Sequence, residues 1–478
     1  METRPAIAHP IKMKATRRTF LNNSATLVAA LLLAKSALAT AEPASSAPAS
    51  HATGVAPKQN PPNLPSMVEA DGLLRFDFTE EKLVLARGLQ PSMLVMKSGA
   101  IIVQGQLPEK PLETGRMHYP SALGTVLSRD GGETWTRLPL AAGDNGVNLE
   151  GGILQLRDGT ILALDTYITK GKKAGEAFGQ LYTSNDDWRT VSGPKDVPFD
   201  LPGAIYPSKD DGGRPHEAQR LHRRILELPN GDLLTTYYGW HEGDATPSAY
   251  EPRMIKSRVL LARSNDRGQH WKLVSTVAVD PAVGTEGFGE PVIARVSKGP
   301  HAGRLICQMR TGRELYEAAS DDEGRTWTPA RPRVFANLDI NRTELWVDMF
   351  RHLRGRSGEM LDEKNLNELP GAVVDPDLIE LRSGLIVAAF GVRITQKGCW
   401  SEPRHPWNGN YLAFSRDHGD TWSNVVRMTS GVLTTHYMAV EEMPRDNQLF
   451  VTYDLGGWSK GMNRDIYGRF VDVTVKNK

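Results

Sequence analysis

The stretch that decides the fold is Ser320-Asp-Asp322-Glu-Gly324-Arg-Thr326-Trp327, because its pattern is repeated along the chain. The pattern is Ser-x-Asp-x-Gly-x-Thr-Trp, and each copy follows a short apolar run such as Tyr411–Phe414. The other full-length copies are Ser128–Trp135, Ser264–Trp271 (with His270 in place of the threonine) and Ser415–Trp422, and a shortened copy is Ser184–Trp188. Recurrence of this kind predicts a repeat architecture.

The residue types in this pattern suit a tight turn. The aspartate can accept hydrogen bonds from backbone N–H groups around the turn, and the glycine adopts backbone angles that other residues resist. The tryptophan supplies a large apolar side chain that packs beneath the turn. We therefore interpret the repeated aspartates as structural residues, and not as catalytic or metal-binding groups.

A second repeat alternates with the first and has the form of a β-hairpin. Leu94–Val103 consists of an apolar run, a turn at Gly99 and another apolar run. Two such runs joined by a glycine turn are a hairpin signal. The same form recurs in Leu154–Leu164, Ile225–Thr235, Val292–Gln308, Ile379–Ala388 and Val440–Tyr453.

Together the two repeats predict six units, each a four-stranded antiparallel blade. A spacing of about 65–70 residues per unit lets six blades close into a ring. The sixth unit ends in Ile466–Val475, and Phe76–Ala86, which precedes the first hairpin, can supply a strand that closes the ring. The predicted fold class is all-β, a six-bladed β-propeller over residues 71–478.

The overall composition is that of a globular protein. Of the 478 residues, 40% are hydrophobic and 24% are charged, so the chain can bury a core and is not disordered. The formal net charge of +1 does not suggest nucleic-acid binding. Beyond residue 45, no apolar run approaches the ~20 residues of a membrane span.

The N-terminal residues have the form of an export signal. Arg17-Arg18 is followed by the apolar stretch Ser24–Ala34 and by Ala37-Leu38-Ala39, a small-residue cleavage site. We interpret residues 1–41 as a twin-arginine-type signal peptide, with an ordinary secretory signal or an uncleaved anchor as the alternative. The Ala/Pro/Ser-rich residues 42–70 are interpreted as a flexible leader.

Several expectations follow from this interpretation. The protein is expected in the periplasm or outside the cell, without a stable membrane anchor, and the precursor is expected to meet the twin-arginine export machinery. Removal of the signal leaves 51 basic and 55 acidic residues, a net charge of −4. A mildly acidic protein has no overall attraction to polyanions.

No cofactor is expected, because the sequence contains no zinc, phosphate-loop or dinucleotide motif. The two cysteines, Cys307 and Cys399, are interpreted as free or buried thiols. Calcium bound by loops of the propeller is left open.

The repeats resemble those of the sialidase (neuraminidase) superfamily, whose Asp-box has the same pattern, over nearly the whole chain from about residue 75. That superfamily includes other glycosidases, lyases and non-catalytic proteins, so active-site residues are matched one at a time. In sialidases, three arginines bind the substrate carboxylate, a tyrosine polarised by a glutamate attacks the sugar, and an aspartate is the acid/base.

Three positions match that set. The resemblance places Tyr437 on the nucleophilic tyrosine, in the segment Thr435–Val440. It places Glu290 on the activating glutamate and Arg310 on the second carboxylate-binding arginine.

The other arginine positions depart from the family pattern. Leu89 stands in the place of the first arginine, and Arg87 lies two positions earlier, about 6–7 Å away along a strand. Trp407-Asn408-Gly409 stands where the third arginine is expected, and Arg393 is the candidate substitute. These departures argue against a conventional exo-sialidase.

The acid/base aspartate also has no match, since Gln104–Leu127 contains no aspartate. Glu113 and His118 are the candidates for this role. Loops at the mouth of a propeller commonly hold function, and we expect Gln90, His216 and Trp240 to contact substrate there together with Arg310 and Arg393.

The sequence therefore predicts an exported, sialidase-like carbohydrate-active enzyme, a glycoside hydrolase for an acidic or unusual sugar. One alternative is a polysaccharide lyase on a uronic-acid glycan. In it, Arg310 or Arg393 neutralises the carboxylate and His118, His216 or Tyr437 removes a proton. The other is a non-catalytic glycan-binding propeller. The sugar, the stereochemical outcome and the oligomeric state are not determined by the sequence.

Overall fold

The computed structural model describes residues 63–111, 121–139, 147–209, 217–249, 252–338, 340, 371–394, 396, 398–400, 403–458 and 463–476. Their regular structure consists of strands and two short 3₁₀ turns, Leu149–Gly151 and Gly398–Trp400. The predicted all-β class is confirmed. In the described part of the chain, no helix is long and apolar enough to cross a membrane.

Three strands precede the first predicted hairpin: β1 (Ser66–Glu69), β2 (Leu74–Phe78) and β3 (Lys82–Ala86). Six four-stranded antiparallel meanders follow along the chain. The first contains β4 (Leu89–Val95), β5 (Ile101–Pro111), β6 (Ser121–Ser128) and β7 (Thr136–Arg137). The second contains β8 (Ile153–Gln155), β9 (Ile161–Leu164), β11 (Glu176–Ser184) and β12 (Ser192–Asp200), with β10 (Tyr167–Lys170) lying between β9 and β11 in sequence.

The third meander follows the short strand β13 (Ala204–Ile205) and contains β14 (Ala218–Glu227), β15 (Leu233–His241), β16 (Arg258–Ser264) and β17 (Trp271–Ala278). The fourth contains β18 (Gly289–Arg295), β19 (Leu305–Arg310), β20 (Leu315–Ser320) and β21 (Arg331–Arg333). The fifth contains β22 (Ala372–Glu380), β23 (Ile386–Arg393), β24 (Gly409–Ser415) and β25 (Asn424–Arg427). The sixth contains β26 (Met438–Glu442), β27 (Gln448–Gly456) and β28 (Arg464–Val475), and β2 is its fourth strand.

The segment predicted to close the ring does pair with the last strand of the chain. β2 and β3 both pair antiparallel with β28, β2 along its C-terminal half and β3 along its N-terminal half. β1 lies in the segment that the sequence suggested to be a flexible leader, and it pairs with β25. β1 is ordered because it forms backbone hydrogen bonds with β25 and so adds a fifth strand to the edge of the fifth meander. Residues 1–62, which include the predicted signal, lie outside the described residues.

The first strands of the six meanders follow one another in a closed cycle. β4 lies against β8, β8 against β14, β14 against β18, β18 against β22, β22 against β26, and β26 against β4. Six apolar clusters occupy the spaces between neighbouring meanders, including the one between the sixth and the first. Burial of apolar area between neighbours is the dominant favourable contribution to such a fold.

The Ser-x-Asp turns have the hydrogen bonds that their residue types predict. The hydroxyl of Ser320 lies 2.8 Å from Asp322 Oδ1 and accepts from the Gly324 amide at 2.8 Å. The Thr326 amide and hydroxyl donate to the Asp322 carboxylate at 2.9 and 2.7 Å. The Thr326 hydrogen bonds lower the pKa of Asp322 to about 2. The Asp322 carboxylate therefore accepts hydrogen bonds from its own turn, in agreement with the interpretation of the repeated aspartates as structural residues.

Candidate functional site

Left-handed backbone conformations recur near the beginnings of the first strands. In or within two residues before four of these strands, a non-glycine residue has a positive φ: Gln90 (55°), Glu290 (39°), Asp375 (49°) and His436 (66°). At the first three, the pairing with the second strand also shifts register. Such conformations cost about 1–3 kcal/mol each and cluster at functional sites. We refer to this end of the first strands as the mouth.

The sequence contains a signal for these irregularities that its hairpin pattern hid. Pro91, Pro291 and Pro376 directly follow three of the four left-handed residues. Proline has no N–H to donate to a ladder, so inside a sheet it occurs at edges and bulges. Each of these prolines therefore marks the position where the pairing of a first strand with its second strand shifts register.

Tyr437 and Glu290, matched separately from the sequence, are in direct contact in the mouth. The Tyr437 hydroxyl donates a hydrogen bond to Glu290 Oε1. Arg310 Nη1 donates to the same carboxylate oxygen at 2.7 Å and lies 3.3 Å from the Tyr437 hydroxyl. Tyr437 and Glu290 are 6% and 8% exposed. The structure thus brings together the three residues that the resemblance proposed as a set.

The protonation states within this trio follow from its contacts. Burial by itself would raise the pKa of Glu290, but the charge of Arg310, together with His222 and the Tyr437 hydrogen bond, lowers it to about 2. Burial and the nearby Glu290 carboxylate raise the pKa of Tyr437 well above its usual value. The resting pair is therefore a neutral phenol that donates to an ionised carboxylate.

Arg310 is shared between two carboxylates. Its Nη1 contacts Glu290 at 2.7 Å and its Nη2 contacts Glu286 Oε1 at 3.0 Å. The same Glu286 oxygen accepts a hydrogen bond from Gln396 Nε2 at 2.8 Å. An arginine that binds a substrate carboxylate presents two parallel N–H groups to it. In Arg310, both terminal nitrogens are already engaged by protein carboxylates.

Arg393 lies against the ring of Tyr437. Its guanidinium carbon is 5.7 Å from the centre of the Tyr437 ring and 5.2 Å from that of Trp400, and its Nη2 donates to the Thr435 carbonyl at 2.7 Å. A cation above a phenol ring stabilises negative charge that develops on it. Trp400, which lies in the second 3₁₀ turn, was not predicted, because nothing in the sequence indicated that this turn returns toward Arg393.

Asp454 anchors the segment that carries Tyr437 by accepting hydrogen bonds from it. This buried carboxylate accepts hydrogen bonds from the Thr434 hydroxyl at 2.9 Å, from the Thr435 amide at 2.7 Å and from the Thr435 hydroxyl. It also accepts from the amide of Gln90 at 2.7 Å, which links the sixth meander to the first. Burial raises the pKa of Asp454 to about 6, although these donors favour the carboxylate.

A second ionic network surrounds Glu290 from the third and fifth meanders. Arg223 donates to both oxygens of Asp375 at 2.6 and 2.7 Å, and the Asp375 amide donates to Glu290 Oε2 at 3.2 Å. His222 Nε2 lies 3.5 Å from Asp375 and 3.7 Å from Glu150. The consecutive basic residues His222 and Arg223 inside an apolar strand were the available sequence signal for this network.

The remaining predicted site residues have different outcomes. Gln90 lies at the mouth, where its side-chain oxygen accepts from Gln106 Nε2 at 2.7 Å. Trp240 is 6% exposed and donates its indole N–H to the Ile255 carbonyl at 2.9 Å, so it presents no open face to a sugar. The sequence suggested that Trp240 lies in a loop at the mouth, whereas residues 233–241 form β15. Glu113, His118 and His216 lie outside the described residues.

The two candidates for the missing arginines differ in position. Arg393 contacts the Tyr437 ring, whereas Arg87 is exposed with a left-handed backbone and does not replace the first arginine inside the site. Leu89, which stands in that arginine's place, is fully buried. Cys307 and Cys399 are buried free thiols. In the part of the chain that the structure describes, no group of three or more His, Cys, Asp and Glu side chains could hold a metal ion.

Comparison with known proteins gives structural likenesses only. No protein-family model and no curated protein matches this sequence. A protein of unknown function from Dyadobacter fermentans is 20% identical, with a TM-score of 0.55 over 84% of this chain and all of that one. A Hadza microbial sialidase (15% identity, TM-score 0.48) aligns with 81% of this chain and 68% of its own. A Penicillium chrysogenum α-L-arabinanase complexed with arabinobiose (14% identity, TM-score 0.45) aligns with 82% of this chain and 98% of its own.

These likenesses concern the fold. Structural neighbours include sialidases and arabinanases at low sequence identity. The likeness to the Dyadobacter protein shows that the two chains share a fold.

Proposed function

We propose that this protein is a glycoside hydrolase in which Tyr437 is the nucleophile and Glu290 its activating base. The observation that carries the proposal is the three-way contact of Tyr437, Glu290 and Arg310. A phenol is a weak nucleophile until a positioned base takes its proton, and Glu290 is the hydrogen-bond acceptor of that proton. The acid that serves the leaving group is proposed to be Glu113 or His118.

The proposed scaffold is a six-bladed propeller with each meander as one blade. Two features support it, namely the closed cycle of first strands and the apolar cluster in each of the six spaces between neighbouring meanders. In such a ring, the first strands line the centre, so side chains at their irregular ends face one mouth.

The proposed reaction has two displacements. In the first, the Tyr437 oxygen bonds to the anomeric carbon, its proton passes to Glu290, and the leaving-group oxygen departs with a proton from the acid. In the second, water attacks the same carbon, the acid residue takes the water proton, and Tyr437 recovers its own proton from Glu290. Two inversions give net retention of configuration. Arg310 and Arg393 stabilise the charge that develops on the Tyr437 oxygen.

The proposed substrate carries no carboxylate on its reacting carbon. Arg310 is neutralised by Glu286 and Glu290, and Leu89 stands where the first carboxylate-binding arginine would be. A substrate carboxylate placed beside these two glutamates meets like charge, which is unfavourable in a buried site. The proposal is therefore a hydrolase for an unusual sugar, and not a conventional exo-sialidase.

A screen of acidic and neutral glycans tests the proposal, with released reducing ends as the readout. We expect release by the wild-type protein and none by Tyr437→Phe, which keeps the ring but has no oxygen nucleophile. Tyr316→Phe, on the third strand of the fourth meander, β20, is the matched control and should retain full activity. Undiminished release by Tyr437→Phe would rule out Tyr437 as nucleophile.

A polysaccharide lyase is the second candidate, because Arg393 lies against the Tyr437 ring. This places a group that can neutralise a uronic carboxylate beside Tyr437, which can take up a proton once Glu290 has accepted the proton of its hydroxyl. A lyase releases unsaturated products that absorb ultraviolet light, and a hydrolase does not. The same screen therefore distinguishes the two, and binding without any release would favour a non-catalytic glycan-binding propeller.

Export by the twin-arginine route remains part of the proposal and rests on the N-terminal sequence alone. Replacement of Arg17 and Arg18 by lysine should retain the protein in the cytoplasm of a bacterial host, whereas the wild-type precursor should reach the periplasm. Cell fractionation measures both.

A further inference from the structure

Gln90 is held at the mouth by one backbone and one side-chain hydrogen bond. Its backbone amide donates to Asp454 Oδ2 at 2.7 Å, and its side-chain oxygen accepts from Gln106 Nε2 at 2.7 Å. Asp454 lies on β27 and Gln106 on β5, so the first bond joins Gln90 to the sixth meander and the second to its own meander. Both the position and the direction of the Gln90 side chain are therefore fixed by the protein.

The Asp454 oxygen that binds Gln90 also binds the segment that carries the proposed nucleophile. The Thr435 hydroxyl donates to the same Oδ2, and the Tyr437 amide donates to the Thr435 hydroxyl oxygen at 3.3 Å. A single carboxylate oxygen and a single hydroxyl therefore link the backbone of Gln90 to that of Tyr437. β4, which contains Gln90, and β26, which Tyr437 directly precedes, are also neighbours in the cycle of first strands. Gln90 is thus placed to contact the sugar that Tyr437 attacks.

The two glutamines have hydrogen-bonding capacity that the protein does not use. Gln90 is partly exposed, unlike Tyr437 and Glu290, and its Nε2 takes part in no hydrogen bond within the part of the chain that the structure describes. Gln106 is buried, and its Oε1 likewise has no partner among the described residues. The pair therefore offers one donor, at Gln90, and one acceptor, at Gln106.

A hydroxyl group suits this pair better than a carboxylate does. A hydroxyl can accept a hydrogen bond from one amide and donate to the other, whereas an ionised carboxylate can only accept. An anion beside Gln90 would also approach Asp454. Burial raises the pKa of Asp454 to about 6, so its carboxylate is ionised at neutral pH, and two like charges in a buried site repel each other. The partners of Gln90 therefore favour an uncharged substituent.

The backbone at Gln90 also has the form of a site prepared for a ligand. Its φ of 55° is left-handed, and the pairing of β4 with β5 shifts register at this position. Such conformations persist where the surrounding structure determines them, and they cluster at functional sites. Because Gln106 already holds the Gln90 side chain, binding costs little further side-chain entropy.

We propose that Gln90 is a specificity-determining residue that donates a hydrogen bond to a hydroxyl group of the sugar attacked by Tyr437, with Gln106 as its positioning residue. This inference rests on the proposed function and extends it, because it makes the reacting sugar an uncharged one. A site that hydrogen-bonds a substrate hydroxyl rejects analogues that lack it, since its own polar groups are then left unpaired.

The test measures affinity by calorimetry with the Tyr437→Phe protein, so that no probe is consumed. The probes are the 4-nitrophenyl glycosides of glucose, galactose, mannose, xylose and arabinose, together with the glucuronide and the galacturonide, in both anomeric forms. We expect the neutral member of a pair such as glucoside and glucuronide to bind more tightly. The neutral probe that binds most tightly is then compared with its monodeoxy forms, of which one should bind about tenfold or more weakly.

Variants in the same Tyr437→Phe protein assign that hydroxyl to Gln90. Gln90→Met removes the donor and should abolish the difference between the parent probe and this one deoxy form, while the other deoxy forms keep their effects. Gln90→Glu keeps the oxygen that accepts from Gln106 but has no donor, and it should abolish the same difference. Gln106→Met should reduce the difference for this hydroxyl and for no other. Gln269→Met, in the turn Ser264–Trp271, is the control and should leave every affinity unchanged, and thermal melting confirms that each variant is folded.

Three outcomes overturn the proposal. One is tighter, Gln90-dependent binding of a uronide than of the matching neutral glycoside. Another is a set of deoxy effects that all survive both Gln90→Met and Gln90→Glu, and the third is the absence of binding by every neutral probe. In each case Tyr437-dependent glycan release can still occur, and recognition of the hydroxyl can be found even if Tyr437 is not the nucleophile. Failure of this inference is therefore distinguishable from failure of the proposed hydrolase.

Discussion

The Tyr437 hydroxyl donates its hydrogen bond to the carboxylate of Glu290, a residue 147 positions earlier in the chain. The two come from the fourth and sixth meanders, and only the closing of the ring brings them together. Arg310 approaches the same carboxylate oxygen, so a single buried oxygen receives both a phenol and a guanidinium. This relationship makes a proton transfer from Tyr437 possible without any rearrangement.

Glu290→Gln tests the role of that oxygen. The amide keeps the size of the side chain but accepts a proton poorly, so we expect kcat to fall by about 10²- to 10⁴-fold, the usual contribution of a general base. The measurement is kcat and KM on the glycan identified by the screen, with thermal melting as the check of folding. Glu80→Gln, at an exposed position between β2 and β3, should have wild-type kinetics. Equal kcat for Glu290→Gln and wild type would contradict the role as base.

Arg223→Met tests the ionic network under the site. Removal of one partner of a buried pair leaves Asp375 charged and uncompensated, which costs about 3–5 kcal/mol. The exposed pair of Arg75 and Asp77 offers the comparison, since Arg75→Met should cost no more than about 1 kcal/mol. Urea unfolding of the two variants measures the free energy of unfolding. A loss for Arg223→Met as small as that for Arg75→Met would show that the network does not stabilise the ring.

Asp454→Asn tests how the Tyr437 segment is held. The pKa of Asp454 is raised by burial from 3.8 to about 6, so between these values the folded protein binds more protons than the unfolded chain. The free energy of unfolding therefore falls as the pH rises from about 4 to 6, because ionising Asp454 is less favourable in the folded protein than in the unfolded chain. The total decrease is up to about 3 kcal/mol. Asparagine does not titrate, so the difference between wild type and Asp454→Asn should change with pH across this window.

Chemical denaturation at several pH values between 4 and 8 provides the measurement. Asp196→Asn, on the exposed strand β12, is the control and should run parallel to wild type. A constant offset between wild type and Asp454→Asn at all pH values would contradict the raised pKa.

The fold could be predicted from the sequence because its signals are local. A Ser-x-Asp turn such as Ser320–Trp327 closes its hydrogen bonds within eight residues, and each hairpin is specified by two short apolar runs and a glycine turn. The contact of Tyr437 with Glu290 was also foreseen, but through family resemblance and not through spacing.

The rest of the site depends on register between distant strands, which no local pattern contains. Arg220, for example, lies against the rings of Tyr167 and Tyr238 because β14 pairs with β10 on one side and with β15 on the other, and a shift of one residue would point Arg220 to the opposite face. The sequence also suggested that Trp240 is exposed in a loop, because no local pattern showed how far the strand before it extends. Its run of aromatic and polar residues resembles a loop, whereas the strand extends through it to His241.

The most direct test of the account is whether a sugar becomes covalently attached to Tyr437. A 2-fluoro glycoside of the sugar released in the screen slows breakdown of the intermediate, and peptide mass spectrometry then locates the adduct. We predict one adduct per chain, on the peptide that contains Tyr437, formed more slowly in Glu290→Gln. An adduct on a carboxylate side chain, or turnover of that sugar with inverted configuration and no adduct, would contradict Tyr437 as the nucleophile.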